Sequence, residues 1–440
     1  MAEKQHLERP GGATLAHWSN PTRTAPTLAS GSGATVKDES GKTYLDFCSQ
    51  LYCVNAGYGE QRIVDAMTEQ LTRLPYVSPS NHVDVRTRLA SDLVDVAPDG
   101  LSDVIFSVTG SEANELAVHL AREYTGASKV LTRWRSYHGS TYGAAGLTGD
   151  PETRSVVERH AATTGTVKFV PPMSYRSPFD AEDPAELAKQ AGDHLEFVIR
   201  NEGPASIAAL LTEPVAGTSG AYAAPPGYFQ RVRELCDEYD ILLIADEVIT
   251  GFGRCGDWFG MQTEGVEPDM LTFAKAVTSA YAPLAGVLMR SEIASKVRTD
   301  GFPLGQTFGG HPVSCAAGVA AIETYADGLV DGVASLAPVL ERELTELASK
   351  HAVVGDVRGR GLLWAVEFTD PSTGGPFFDT RTDEGNNPVA DVLATARERG
   401  ALFGSGRPAF QLIVAPPLCT TAAEIERATS ILDEAIEATF

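Results

Sequence analysis

The run Ile241-Leu242-Leu243-Ile244-Ala245-Asp246-Glu247-Val248 is followed, 29 residues past Asp246, by Phe273-Ala274-Lys275. Each charged residue closes an apolar, β-rich run, where a buried parallel strand would terminate. In open α/β sheets, ligands bind beyond the carboxyl ends of the strands. Two strands therefore deliver an acid and a lysine toward one crevice. Taken singly, each residue also has an ordinary explanation. Asp246 suits a helix N-cap or a structural ion pair, and Lys275 a lysine snorkelling from a strand end.

The same rhythm extends on both sides. Further short apolar runs at 103–109, 129–132, 167–171, 206–212 and 284–289 join 241–246 and 270–274 as candidate strands, with helical periodicity at 111–125 and 227–239 between them. Alternation of this kind predicts an α/β fold: a mostly parallel central sheet with helices on both faces. Beyond about residue 312 the order changes to helices at 312–326 and 335–350, then strands at 353–357 and 362–368. A helix at 388–399, a strand at 411–414 and a helix at 422–437 follow. This reads as a smaller α+β domain. The expected division is 1–60 (arm and part of the small domain), 61–319 (large domain) and 320–440 (C-terminal small domain). Residues 1–35, rich in Pro, Gly, Ser and Thr, read as a wrapping arm rather than a packed element. Val36–Phe47 reads as a hairpin turning at Glu39-Ser40-Gly41-Lys42, and 370–387 as a surface loop.

Composition narrows the function classes. A net charge of −23 disfavours phosphate backbones and anionic membrane surfaces, so no nucleic-acid or membrane partner is expected. It leaves open whether the acidity is a salt adaptation or only compositional style. The six cysteines form no CxxC and no metal-like spacing with histidine, which predicts reduced, mostly buried thiols and no metal site. The N-terminus lacks an apolar leader core and no stretch approaches 18 apolar residues. A cytoplasmic protein is expected.

Other segments add chemistry. Phe106-Ser-Val-Thr109-Gly110-Ser111-Glu112-Ala-Asn114 places a strand directly before a helix, with capping-box spacing from Thr109 to Glu112. The free N–H groups of such a helix start would hold a dianionic phosphate, although many capped turns bind nothing. Tyr137, in Tyr137-His138-Gly139, follows a strand and could stack on a flat heterocycle or simply pack in a loop. Val248 is β-branched and stiff, a flat floor beneath a ring. A pyridinium nitrogen ~4 Å from Asp246 would gain roughly 4 kcal/mol at an effective dielectric near 20. Lys275, between Ala274 and Ala276, sits where desolvation lowers an amine's pKa, as a Schiff-base lysine requires. A carboxylate at a pyridine nitrogen and a lysine at its aldehyde are the protein side of pyridoxal phosphate chemistry. Glu213-Pro214-Val215 ends another apolar run. Gly305-Gln-Thr307-Phe-Gly-Gly-His311-Pro312 is a glycine-rich turn opening a helix. Arg407, in a turn, could fork onto a carboxylate. No one segment decides the matter; their joint occurrence in chain order does.

Together these segments resemble the class III pyridoxal-phosphate-dependent aminotransferases, the ω-transaminase group. The run Asp246-Glu-Val-Ile-Thr-Gly-Phe-Gly-Arg254, through Trp258-Phe259-Gly260 and Pro268-Asp269 to Lys275, carries the likeness most closely. With Gly110-Ser111, Tyr137-His138-Gly139, Glu213-Pro214-Val215, Thr307 and Pro416-Pro417-Leu418 it spans nearly the whole chain. The resemblance implies a fold-type-I homodimer, or a tetramer of paired dimers, with each active site at the subunit interface. Lys275 would be catalytic, forming an aldimine with the cofactor, and Asp246 would hold the ring nitrogen. Tyr137 and Val248 would sandwich the ring, Gly110 and Ser111 would take the phosphate, and Thr307 would arrive from the other subunit. His138 and Glu213 complete the cofactor-binding set. Arg407 matches an arginine that swings in for carboxylate substrates and out for apolar ones.

The implied reaction moves an amino group from an ω-amino acid or amine to pyruvate or 2-oxoglutarate, by a ping-pong route. Besides Arg407, three positions bear on the substrate, Thr218, Tyr52 and Ser80, and two smaller departures bear on the cofactor. Thr218 stands where relatives acting on GABA or ornithine commonly carry a glutamate that pairs with the mobile arginine, which argues against those activities. Tyr52 replaces a frequent tryptophan. Ala276 and Gly309 are small departures not expected to abolish cofactor binding. Ser80, with Pro79 and Asn81, occupies a stretch that often lends aromatic groups to the partner's pocket. A more open, polar pocket suited to β-alanine- or taurine-like donors is expected. The rival readings are an aminomutase, decarboxylase or racemase on the same fold, a nucleotide-binding dehydrogenase prompted by Gly31-Ser32-Gly33 and Gly57-Tyr58-Gly59, and a non-catalytic pyridoxal-phosphate-binding regulator.

Overall fold

A computed structural model of the chain describes residues 17–18, 26–159, 165–379 and 382–440. Most of the arm expected at 1–35 lies outside the described residues. Its described end departs from expectation: Leu28–Ser32 is a strand, paired antiparallel with Thr35–Asp38. All five of its residues are exposed, so no apolar alternation marked it in the sequence. The hairpin that follows, Thr35–Asp38 with Thr43–Asp46, turns where predicted. Asp38 closes it by accepting from the N–H of Ser40 (2.9 Å) and of Lys42 (3.0 Å), while Gly41 takes the left-handed φ of 86°.

All seven candidate strands form one sheet. They are β1 (Leu101–Ser107), β2 (Lys129–Arg133), β3 (Thr166–Phe169), β4 (Ile207–Thr212), β5 (Leu242–Asp246), β6 (Met270–Phe273) and β7 (Ala285–Arg290), in the order β1-β7-β6-β5-β4-β2-β3. Only β7 runs antiparallel to its neighbours, so the other six point the same way. The central strands read as unbroken apolar runs because both faces are covered: every residue of β4 and β6 is buried. One apolar core lies under Pro184–Glu202 and Tyr228–Glu238, with Leu195, Ile199, Phe229 and Val232 against Leu210 and Leu243. On the other face Gly110–Thr125 sets Ala113, Ala117 and Ala121 against Leu211, Ile244 and Val287.

The chain from Pro312 to Lys350 is long and apolar enough by composition to cross a membrane, yet 67% of its most apolar window is buried within the protein. Its first part, Pro312–Thr324, packs against Gln61–Arg73 and Asp84–Val96 as a core helix. A second sheet, order Val354–Arg360, Leu363–Phe368, Gln411–Val414, Gly404–Ser405, is wholly antiparallel. Its core includes Phe47 from the N-terminal segment along with Leu340, Phe368 and Leu432. The two glycine stretches that prompted the dehydrogenase reading meet each other instead. Gly33 and Tyr58 exchange two backbone hydrogen bonds of 2.9 Å, and a Cβ on Gly31 would fall 2.6 Å from the Tyr58 ring.

Candidate active site

Because six strands share a direction, their carboxyl ends share an edge, and the residues that follow five of them line one cavity of about 960 Å3. Gly110 and Ser111 follow β1, Tyr137 and His138 follow β2, Glu213 follows β4, and Lys275 follows β6. Asp246 ends β5, with Val248 two residues on. Tyr52, Thr218 and Arg407 line the same cavity. Two residues expected to serve the partner's cavity lie elsewhere. Ser80 and Thr307 are exposed on loops outside this one, and Arg86 brackets both loops by donating to the carbonyls of Asn81 (2.8 Å) and Gly310 (2.8 Å). Tyr76 adds a bond from its hydroxyl to the Thr307 carbonyl at 3.0 Å.

The cavity floor is a buried hydrogen-bonded network. Asp246 Oδ2 accepts from Asn114 Nδ2 at 2.8 Å and lies 2.7 Å from His138 Nδ1. Asp246 Oδ1 accepts from the Val248 N–H at 3.1 Å. Asn114 also donates to the His138 carbonyl (2.8 Å) and accepts from Thr272 Oγ1 (2.8 Å). Burial holds the His138 imidazole below its usual range, against the upward pull of Asp246. It is therefore neutral near pH 7, with Nδ1–H donating to the carboxylate, and its Nε2 has no partner among the described residues. The network anchors the Asp246 carboxylate, and among the described residues no lysine or arginine is paired with it, which leaves it free to face a protonated ring nitrogen.

Lys275 opposes it. The residue sits at φ 50°, a left-handed conformation that β-rich neighbours do not favour, directly after an extended Ala274. Burial lowers its amine, and neighbouring Cys53, Asp246 and Glu213 pull it back up. Its Nζ lies 5.8 Å from the Tyr52 ring centroid. Tyr52 belongs to a second strained segment: Ser49, Gln50 and Tyr52 all have positive φ (43°, 57° and 60°). Asp46 steadies it by accepting from the N–H of Cys48 and of Gln50 and from the Tyr58 hydroxyl. Burial pushes the Glu213 carboxyl up to about 8, with Arg133 holding it back from 3.3 Å.

A phosphorylated pyridine ring fits these residues. The helix Gly110–Thr125 carries the predicted capping box, Thr109 Oγ1 accepting from the Glu112 N–H at 3.3 Å and Glu112 Oε2 from the Thr109 N–H at 2.9 Å. That leaves the first helical N–H groups, at Gly110 and Ser111, for an anion. Space is tight around them. A Cβ on Gly110 would lie 3.0 Å from Val248, and one on Gly139 would lie 2.3 Å from Ser111 Oγ.

Sequence reasoning missed several participants. Asn114 carried a signal: it lies on the apolar stripe with Ala117, Val118 and Ala121, where a polar residue must find buried partners. Asp150 and Thr153, which hold Arg407, carried none, being polar residues at an ordinary helix start. Arg254 is fully buried and holds the segment that carries Tyr52, donating to Asn55 Oδ1 (2.6 Å), Ser49 Oγ (3.2 Å), and the carbonyls of Leu362 (3.1 Å) and Pro416 (2.5 Å).

Comparison with known proteins agrees with this geometry. The family model for aminotransferase class-III matches residues 16–436. The diaminobutyrate–2-oxoglutarate transaminase of Halomonas elongata is 32% identical, over 96% of this chain and 92% of its own. The putrescine–pyruvate aminotransferase of Pseudomonas aeruginosa is 36% identical, over 78% and 77%. The taurine:2-oxoglutarate aminotransferase of Bifidobacterium kashiwanohense, solved with PLP and glutamate, superposes with a TM-score of 0.92 at 34% identity, covering 96% of this chain and 95% of that one.

Proposed function

The chain belongs to the class-III aminotransferases and depends on pyridoxal phosphate, and on that premise we propose that it moves an amino group from an ω-amino acid or amine to pyruvate or 2-oxoglutarate. The donors are of the β-alanine or taurine kind or a broader set. The observation that carries this reading is the rim of the cavity. Arg407 lies over the Tyr137 ring, its guanidinium 5.6 Å from the centroid, while position 218 offers a buried hydroxyl with no partner among the described residues. A cation at that place accepts a distal carboxylate or sulfonate.

Pyridoxal phosphate, when bound, supplies an aldehyde that takes the amino group and a ring that stores the electron pair. The chain's own residues do the rest. Lys275, its amine lowered by burial, is the base that takes the substrate Cα proton and returns it on the other side of the transfer. Asp246 keeps a proton on the ring nitrogen, and His138 and Asn114 fix the carboxylate for that task. Gly110 and Ser111 bind the phosphate, and Tyr137 and Val248 enclose the ring. Donor and acceptor use the cavity in turn, which gives ping-pong kinetics.

The exposed ledge of Ser80 and Thr307 supports a homodimer in which each copy completes the other's cavity. Tyr76 (41% exposed) and Phe308 (57% exposed) meet edge to face on that ledge, an apolar surface that a second copy would cover. Absorbance of the purified holoenzyme tests the chemistry. A band near ~420 nm should bleach on adding amine and return on adding keto acid; a protein that stays colourless with added cofactor sinks the reading. Steady-state rates across taurine, β-alanine, GABA and 1-phenylethylamine test the donor class, and a clear preference for the bulky arylamine counts against it.

A further inference from the structure

The loop that carries Arg407 has a counter-charge from a distant part of the chain. Arg407 Nη1 lies 3.1 Å from Asp150 Oδ2 and 2.9 Å from Thr153 Oγ1. The Asp150 side chain is 6% exposed and that of Arg407 24%. Asp150 is a fixed group rather than a passing one. Its N–H donates to the Ser136 carbonyl (3.0 Å), next to Tyr137, and the preceding Gly149 N–H does so at 2.9 Å. A Cβ on Gly149 would fall 2.2 Å from the Arg133 carbonyl, so the chain there is pressed onto the exit of β2. Asp150 Oδ2 is also the N-cap of Pro151–Glu158, accepting from the Thr153 N–H (3.1 Å) and Thr153 Oγ1 (2.9 Å).

The other side of the contact is held with equal care. The Arg407 N–H donates to the Thr218 carbonyl at 2.7 Å, and Phe410 is flanked by the guanidinium groups of Arg135 (5.3 Å) and Arg176 (5.7 Å). The turn is pinned at both ends, so what can move is the Arg407 side chain. Among the described residues, its polar partners beyond the turn are Asp150 and Thr153.

From this geometry we infer that Asp150 is the specificity-determining counter-ion of Arg407. With a donor that has no distal charge, Asp150 neutralises the guanidinium and lets the rim of the cavity accept apolar groups. With a distal carboxylate, the substrate competes with Asp150 for the same N–H groups. Asp150 thereby weakens carboxylate binding and strengthens binding of uncharged amines, a positioning role exerted through Arg407. The inference rests on the proposed use of Arg407 as the distal-group site.

Glutarate, which has two carboxylates and neither an amino nor a keto group, isolates binding from turnover. Calorimetric titration of the holoenzyme with glutarate should give a Kd about fivefold lower in Asp150→Asn, the loss of about one charge-assisted contact. Asparagine keeps the helix cap, so the variant retains its fold. Thr153→Val, which removes one acceptor and spares the charge, should shift the Kd the same way by less. In an Arg407→Ala background, Asp150→Asn should change nothing. In steady state, KM for 2-oxoglutarate should fall in Asp150→Asn while KM for 1-phenylethylamine rises. Equal glutarate affinity in native and Asp150→Asn protein, including no binding by either, overturns the inference, as does a gain that survives without Arg407. Glutarate titration needs no amino transfer, so these outcomes stand apart from failure of the transferase reading, which only the rates report.

Discussion

The floor of the cavity and its rim are built on different terms. On the floor, Asp246, His138, Asn114 and Thr272 are buried and joined by bonds of 2.7–2.8 Å, with Lys275 opposite on a strained backbone. At the rim, Arg407 reaches from a turn to Asp150 across a partly exposed contact, beside an unsatisfied Thr218 hydroxyl. A buried network forfeits its full desolvation cost when one member is lost, whereas an ion pair that solvent reaches from its arginine side trades more readily with a ligand or water. The floor is therefore suited to invariant chemistry and the rim to choosing among substrates.

The comparison breaks first at Lys275. Lys275→Ala should lower amino transfer by at least about a thousandfold, because no other group on the floor moves the proton. It should also remove the ~420 nm band while leaving the folded state intact by circular dichroism. Asp246→Asn comes next. An amide keeps the shape but cannot hold the ring nitrogen's proton, so kcat should fall about a hundredfold with KM little changed. A rim variant should behave otherwise: Arg407→Ala should raise KM for 2-oxoglutarate about tenfold, with kcat within about twofold for donors lacking a distal charge. If Arg407→Ala instead lowered kcat for all donors alike, floor and rim would not be separable.

The smallest effect concerns pH. Between about 4.5, where a free glutamate titrates, and about 8, the folded state holds a proton at Glu213 that the unfolded chain has lost. Stability therefore falls through Glu213 as pH rises across that window. Glu213→Gln should flatten this part of the slope in urea unfolding of the cofactor-free protein at pH 5.5 and 8. A slope unchanged by the substitution would place the Glu213 titration elsewhere.

Much of this was legible along the chain. The seven sheet strands stood out because β4, β5 and β6 are short, nearly continuous apolar runs, the pattern a doubly covered sheet favours. The capping box at Thr109–Glu112 was legible because its partners lie three residues apart. Leu28–Ser32 was not, since a fully exposed edge strand has no alternation to read. Asn114 was half legible: a polar residue on an apolar stripe announced a buried bond, though not with whom.

By itself the sequence determined the sheet, the acid and the lysine at its strand ends, and with them the chemistry. These depend on local periodicity and on residues placed a fixed step beyond a strand. Only the tertiary structure decided that Asn114 and His138 orient Asp246 and that Arg407 meets Asp150 across 257 residues of sequence. The physical reason is the same in each case. A polar contact between distant turns is made by packing that neither segment encodes alone, and its energy is too small to impose a pattern on the residues around it.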